Sequence, residues 1–263
     1  MNNQERNSDV PPSLLRIESV SKSFGGLQAL HDVSFEVAPA TIHAVIGPNG
    51  AGKTTLFNII TGFYTADDGR VLYDRQEIQG RLVHEIVACG ISRTFQNVEL
   101  FGSLTVLENV LVGAHVRTRC GFVGAMGRWP WVKREEKESR ERAMELLELV
   151  DLGGMAQHRS LDLPFGWQRF LEIARALAAQ PSVLLLDEPA SGLNAVETER
   201  LGELLIRIRG RGVTLVLVEH DMSLTMGISD RIVVLDQGKK LAEGTPREIQ
   251  QNEAVISAYL GKE

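Results

Sequence analysis

The stretch Gly47-Pro48-Asn49-Gly50-Ala51-Gly52-Lys53-Thr54 constrains this chain more than any other. It fits G-x-x-x-x-G-K-[ST] and lies between Thr41 to Ile46, which reads as a buried strand, and Lys53 to Ile60, which has helical character. That context defines a P-loop. Its glycines let the backbone curl until successive N–H groups face phosphate oxygens, and the helix beyond adds the positive end of its dipole. Lys53 supplies a point charge for the terminal phosphates and Thr54 a hydroxyl for Mg²⁺, and Thr55 is counted with the nucleotide-binding residues.

A second motif belongs with the first. Val183 to Leu186 is an apolar strand ending in Asp187-Glu188-Pro189. Ligands gather at the carboxyl ends of parallel strands, so both acids are delivered to the phosphate end of the P-loop. Asp187 is expected to hold Mg²⁺ through water, and Glu188 to orient and polarise an attacking water as general base, a role that a hydrolase needs and a simple binder does not.

From Pro181 onward strands alternate with helices: Val183 to Leu186, Val196 to Ile208, Val213 to Val218, Ile232 to Leu235. This predicts a mainly parallel sheet with crossover helices. Ahead of the P-loop, Leu14 to Val20 and Val33 to Val37 read as strands of a small antiparallel sheet. Residues from about 97 to 165 carry helical pattern, a helical subdomain whose best segment is Lys133 to Val150, with Ala143, Leu146, Leu147 and Val150 on one face and Glu136–Arg140 and Glu138–Arg142 as i,i+4 pairs. The expected division is a loose tail over 1–12 and one α/β domain over 13–263.

Charge excludes one function class. Against 28 Lys and Arg stand 34 Asp and Glu, a net charge of −6, which argues against a protein that grips nucleic-acid phosphates. No uncharged apolar stretch reaches the ~18 residues that span a bilayer, so any membrane role runs through a partner. Cys89 and Cys120 lack metal-ligand spacing and read as ordinary reduced thiols.

From about Leu15 to Gly261 the chain resembles the nucleotide-binding subunit of ABC transporters. Gln96 in Thr94-Phe95-Gln96 resembles the glutamine loop of that family, a ligand for Mg²⁺ or the attacking water. His220 in Val218-Glu219-His220-Asp221 resembles its switch histidine, a donor to the γ-phosphate, whereas His31, His43, His84, His115 and His158 read as structural. Phe24 in Ser23-Phe24-Gly25-Gly26 sits where the family places an adenine-stacking aromatic. Leu163 to Leu177 (LPFGWQRFLEIARAL) occupies the place of the signature motif and its helix. The resemblance implies a P-loop NTPase cassette with a mainly parallel core sheet, a small antiparallel β subdomain and a helical subdomain.

The signature departs from the family pattern. Pro164, Phe165, Gly166 and Trp167, followed by Gln168, stand where the consensus has serine, a double glycine and glutamine, and Pro164 offers neither hydroxyl nor N–H. Since the family sandwiches ATP between the P-loop of one subunit and the signature of another, this puts in doubt hydrolysis at the partner's P-loop, not ATP binding at Lys53. Asn194, in the loop Ser191-Gly192-Leu193-Asn194 that meets the partner, replaces the usual aspartate.

GPNGAGKTTLFNIITGF, RTFQNVELFGSLTVLENV, the insert from Val112 to Val132 with Trp129 and Trp131, EPASGLN and the C-terminal AVISAYLG resemble the branched-chain amino acid type, in particular the longer of its two ATPase subunits. This implies ATP and Mg²⁺ as ligands and a heterodimer with a shorter ATPase, a homodimer of the isolated chain being the alternative. It also implies two integral membrane permease subunits, a solute-binding protein acting indirectly, no nucleic acid, and a peripheral place on the cytoplasmic face of the membrane. Rival readings are the same motor for urea, short amides or other amino acids, a soluble ABC ATPase acting on nucleic acid or ribosomes, and a poorly hydrolysing nucleotide switch.

Overall fold

The computed structural model describes residues 13–96, 99–115 and 130–260. The tail expected over 1–12, Cys120 and Trp129 lie outside the described residues, as does the side chain of Trp131.

Two strands of alternating pattern, β1 (Leu15–Phe24) and β2 (Leu27–Val37), form a hairpin whose turn is Gly25-Gly26. Both glycines adopt positive φ, 52° and 92°, which a two-residue hairpin turn requires. The hairpin is longer than its sequence pattern predicts because exposed positions near the turn break the alternation. Two further strands, β4 (Asp68–Tyr73) and β5 (Gln76–Glu77), extend it to a four-stranded antiparallel sheet in the order β2-β1-β4-β5.

The second sheet is built from short apolar strands, β3 (Ile42–Ile46), β6 (Ile91–Arg93), β7 (Val183–Asp187), β8 (Thr214–Val218) and β9 (Arg231–Asp236), closed by β10 (Lys239–Gly244). Its order is β10-β9-β3-β8-β7-β6, parallel throughout except for β10 against β9. β3, β7 and β8 are buried on both faces, which explains why they read as continuous apolar runs. Alternate residues divide between two cores. Ile42, Ala44 and Ile46 join Leu184, Leu186, Leu215 and Leu217 in one, which the helices cover. Val45, Leu185, Val216 and Val218 join the antiparallel sheet and α1 (Lys53–Ile60) in the other.

The remaining helices are α2 (Val83–Cys89), α3 (Val106–Ala114), α4 (Pro130–Leu149), α5 (Phe165–Ala178), α6 (Ala195–Gly210), α7 (Met222–Ile228), α8 (Pro246–Gln250) and α9 (Glu253–Leu260). α3 and α4 fall in the segment whose pattern is helical. α4 buries Ala143 and Leu147, with Val150 just beyond its end buried beside them and Leu146 packed against the same cluster. Its outer face carries Arg134–Glu138 and Arg142–Glu138 at 2.8 and 3.8 Å, and Lys137 rather than Arg140 supplies the third i,i+4 pair, with Glu141. No helix among the described residues is long and apolar enough to cross a membrane.

Candidate functional site

β3 delivers the chain into the P-loop, and glycine makes the turn sterically attainable. Gly50 and Gly52 take positive φ of 80° and 97°, the latter at the N-cap of α1, and a Cβ on Gly50 would meet nothing within 4 Å, so that part of the loop faces open space. Lys53 is buried at 6% exposure, and its ammonium donates to the Gly47 and Pro48 carbonyls at 2.7 and 3.1 Å. Burial pushes this amine down, against the opposing pull of Glu188 and Asp187. An ammonium folded onto its own loop, an open glycine and the free N–H groups of a helix start fit an oligophosphate anion.

β7 and β8 set the acids. Asp187 ends β7 in register with Val218 at the end of β8, and the Glu188 N–H donates to the Val218 carbonyl at 2.8 Å. Glu188 adopts a left-handed φ of 48°, an uncommon conformation for this residue type, which turns its carboxylate away from the strand line. There it accepts from Gln96 Nε2 at 2.8 Å and lies 3.0 Å from His220 Nε2. Gln96, Glu188 and His220, remote in sequence, therefore meet at one carboxylate beside the P-loop. The loop bearing His220 is fixed by Glu219, a 3% exposed carboxylate that accepts from the N–H groups of Ala190, His220 and Asp221. Burial pushes the Glu219 carboxyl up despite these bonds.

Asp187 has a partner that the sequence does not announce. Arg93, the last residue of β6, pairs with it at 2.7 Å, both side chains being 6% exposed. The same guanidinium donates to Asn58 Oδ1 and Thr61 Oγ1 on and just after α1, and lies against the Phe57 and Phe95 rings. Its signal in the sequence is an arginine immediately ahead of Thr94-Phe95-Gln96. Among the described residues no cluster of three or more metal-binding side chains forms, so Asp187 and the exposed Thr54 would hold Mg²⁺ only together with phosphate oxygens and water.

Phe24 ends β1 with its ring 40% exposed and 5.2 Å, edge to face, from Tyr64, an aromatic that sequence reasoning missed. An exposed ring at this place is available for stacking.

The signature residues open α5. Pro164 is its N-cap and forms no side-chain cap, Phe165 is 49% exposed, and Gln168 Nε2 turns back to the Leu163 carbonyl. The Glu197 carboxylate lies over Gly166, in the space a Cβ there would take. Trp167 packs on Phe170 and under the Arg200 guanidinium. Asn194 has a structural task, for it caps α6 by accepting from the Glu197 N–H at 3.0 Å while Glu197 accepts from the Asn194 N–H at 2.9 Å. The neighbouring Ser191 is exposed, and its N–H donates to the Glu188 carbonyl at 3.1 Å.

A strand-fed P-loop, two acids at the end of β7, one strand removed from β3 in the same parallel sheet, and a glutamine and histidine converging on the second acid define a nucleoside-triphosphate-hydrolysing cassette. Residues 30–191 match the ABC transporter family, and 239–263 match the branched-chain amino acid ATP-binding cassette transporter family. The chain belongs to the ABC transporter family, as one of its ATPase cassettes. It is 45% identical over 250 residues to the high-affinity branched-chain amino acid transport ATP-binding protein LivG of Escherichia coli K12, covering 95% of this chain and 98% of that protein. The BraF protein of the same description from Pseudomonas aeruginosa matches with the same identity and coverage. Among solved structures, a nucleotide-free ATP-binding cassette from an ABC transporter superposes with a TM-score of 0.83 at 30% identity, covering 95% of this chain and all of that one. The ADP conformation of the cassette MJ1267 gives 0.82 at 31% identity, again over 95% and 100% of the two chains.

Proposed function

We propose that this chain is the motor subunit of an importer for branched-chain amino acids, working at the cytoplasmic face of the membrane beneath two permease subunits. We infer further that it pairs there with a second, shorter ATPase. The cargo is supported by the 45% identity to LivG along 95% of the chain. The chemistry rests on one observation, the Glu188 carboxylate held between Gln96 and His220 at 2.8 and 3.0 Å.

In this reading Phe24 stacks on the adenine, and Gly47, Pro48, Asn49, Gly50, Ala51, Gly52, Lys53, Thr54 and Thr55 enclose the phosphates. The Lys53 ammonium leaves the Gly47 and Pro48 carbonyls for phosphate oxygens, exchanging neutral acceptors for charged ones. Thr54, Asp187 and Gln96 would hold Mg²⁺, which would supply positive charge to stabilise the phosphate oxygens. Glu188 accepts the proton of the attacking water, and Gln96 and His220, already on that carboxylate, orient it. His220 then senses the γ-phosphate. In an assembled pair, the segment Pro164, Phe165, Gly166, Trp167 and Gln168 faces the partner's nucleotide, and its backbone donors come from the residues after Pro164, so the two sites are unequal. Ser191 and Asn194 lie in the loop that meets the partner.

Uptake of leucine, isoleucine, valine and urea in a strain lacking this chain tests the cargo. Loss of branched-chain uptake with urea uptake retained is the expected result. Unchanged branched-chain uptake overturns the cargo and leaves the ATPase intact.

A further inference from the structure

Helix α5 places charges on the face it buries. Arg169, Glu172 and Arg175 recur every three residues, and Arg169 and Glu172 are only 4% and 2% exposed. Removing such groups from water is costly unless each is paired and its remaining donors and acceptors are satisfied. The pairing is internal, with Glu172 at 3.3 Å from Arg169 and 3.9 Å from Arg175. Burial still pushes the Glu172 carboxyl up, against the pull of the Phe95 N–H and both guanidiniums.

What these three residues satisfy is the backbone around Gln96. Glu172 accepts from the Phe95 N–H at 3.3 Å, and Arg169 donates to the Phe95 carbonyl at 3.0 Å and to the Gln96 carbonyl. Arg175 donates to the Glu99 carbonyl. At its other side Arg169 lies 5.7 Å from the centre of the Phe165 ring, the first residue of α5. A single guanidinium thus touches both the signature end of the helix and the main chain of Gln96, whose side chain reaches Glu188.

We propose that Arg169 is a positioning residue that transmits the placement of the signature end of α5 to Gln96 and thereby to Glu188, so that the nucleotide site shared with the partner adjusts hydrolysis at this chain's own. This rests on the reading of Gln96 and Glu188 given above. Arginine suits the task because its fork is rigid and spans two carbonyls at once, so a shift of the helix turns the peptide it holds. A lysine would keep the charge opposite Glu172 and lose the fork.

The test uses the full chain in the assembled transporter for turnover and the purified full chain for binding of a fluorescent ATP analogue. The pair Arg169→Met and Glu172→Gln removes the two most buried charges together and keeps an acceptor for the Phe95 N–H, while Arg175, at 17% side-chain exposure, keeps its bond to the Glu99 carbonyl. The expected result is a fall in kcat of about tenfold, a Kd for the ATP analogue within twofold of the parent, and a Hill coefficient for ATP that drops towards one. Arg169→Lys, which preserves the ion pair, is expected to lower kcat about fivefold with an unchanged Tm. In a Gln96→Ala background the paired change is expected to slow turnover no further. An equal additional fall in that background, or a Kd that weakens in step with kcat, overturns the proposal and leaves Arg169 a packing residue. If Gln96→Ala is slow while the Arg169 variants turn over like the parent, the proposal alone fails. If Gln96→Ala is itself unchanged, the underlying reading of Gln96 fails with it.

Discussion

The two helix N-termini that carry the motifs, those of α1 and α5, are built from opposite materials. The α1 end is shaped by glycine and holds a buried ammonium within its own loop, so its form depends on backbone that β3 and α1 fix. The α5 end begins with proline and phenylalanine, and the residues packed on it come from the loop before α6 and from the first turn of α6. A Cβ on Gly192 would come within 2.7 Å of the Phe165 ring, and Glu197 occupies the space over Gly166. One end is formed in advance for an anion. The other keeps the helix N–H groups but surrounds them with aromatic rings and a carboxylate, and it is aligned by α6. The lesson is that the P-loop end is seated in the strand core, with Gly47 against the Leu235 carbonyl and Gly52 against Ala29 and Leu30, whereas the α5 end is packed on by a loop and the first turn of α6.

The largest effect belongs to the P-loop end. Glu188→Gln keeps the size of the side chain and its contacts with Gln96 and His220, and it removes the proton acceptor. Turnover is expected to fall by roughly 10²–10³-fold, in the range for loss of a general base. Binding of ATP by the variant, followed by a fluorescent analogue, should be retained, and size-exclusion chromatography in ATP should show a trapped dimer. Parent-like turnover alongside the partner ATPase would remove Glu188 from the base role.

A second effect separates the ends by pH. His43 lies on β3, the strand that feeds the P-loop, at 2% exposure, and neither ring nitrogen has a hydrogen-bond partner among the described residues. Burial pushes it from the usual 6.5 down to about 4, with Arg231 acting the same way and Glu243 and Asp230 opposing. The unfolded chain therefore binds a proton that the folded chain refuses between these values. Stability from this group is complete above pH 6.5, declines as pH falls and is gone by about pH 4, amounting to about 3 kcal/mol. His43→Leu should flatten that part of a chemical-denaturation profile measured from pH 7 to 4. A slope identical to the parent's would mean that the acid sensitivity lies elsewhere.

Both ends were legible in the sequence to different depths, for physical reasons. The P-loop, Asp187 and Glu188 stood out because backbone curling and strand-end acids demand particular residues at fixed spacing. The parallel strands stood out because double burial makes them apolar throughout. β4, β5, β6 and β10 did not, since edge and antiparallel strands here are short or polar. Arg93, Arg169 and Glu172 were missed because a buried charge looks in sequence like a surface one, and the partners that admit it lie 73 to 94 residues away. The clue was present in LEIARAL, where charges interrupt an apolar helix stripe at intervals of three. Asn194, read as a residue of the loop that meets the partner in place of the usual aspartate, also proves to be a helix cap.

The α5 end can be pushed towards the α1 end. Pro164→Ser restores a hydroxyl and an N–H at the N-cap. A new donor to a charged phosphate is expected to raise turnover of the assembled motor by about tenfold at the site shared with the partner, in line with roughly 1.5 kcal/mol for a charge-assisted hydrogen bond. Tm should stay near the parent's, because the gained cap and the lost rigidity of proline nearly offset. A steady-state ATPase assay with the partner present reads the change. If turnover is unaltered, Pro164 does not limit that site, and the inequality of the two ends does not reach catalysis.

The smallest expected effect isolates the support of the α5 end from its chemistry. Asn194→Ala removes the side-chain acceptor for the Glu197 N–H, while the backbone N–H at 194 still holds the Glu197 carboxylate that lies over Gly166. The loss should be about 1 kcal/mol of stability, the usual cost of an N-cap. Asn194→Asp keeps the cap and adds a negative charge at a helix start, so it should be as stable as the parent or a few tenths of a kcal/mol more so. Urea denaturation of the three chains ranks them. Turnover should follow the same rank for Asn194→Ala if the loop aligns the signature, since a loosened α6 start lets Phe165 and Gly166 shift. A destabilised Asn194→Ala with parent-like turnover would show that the α5 end does not depend on the α6 cap, and the distinction between the two ends would reduce to Pro164 alone.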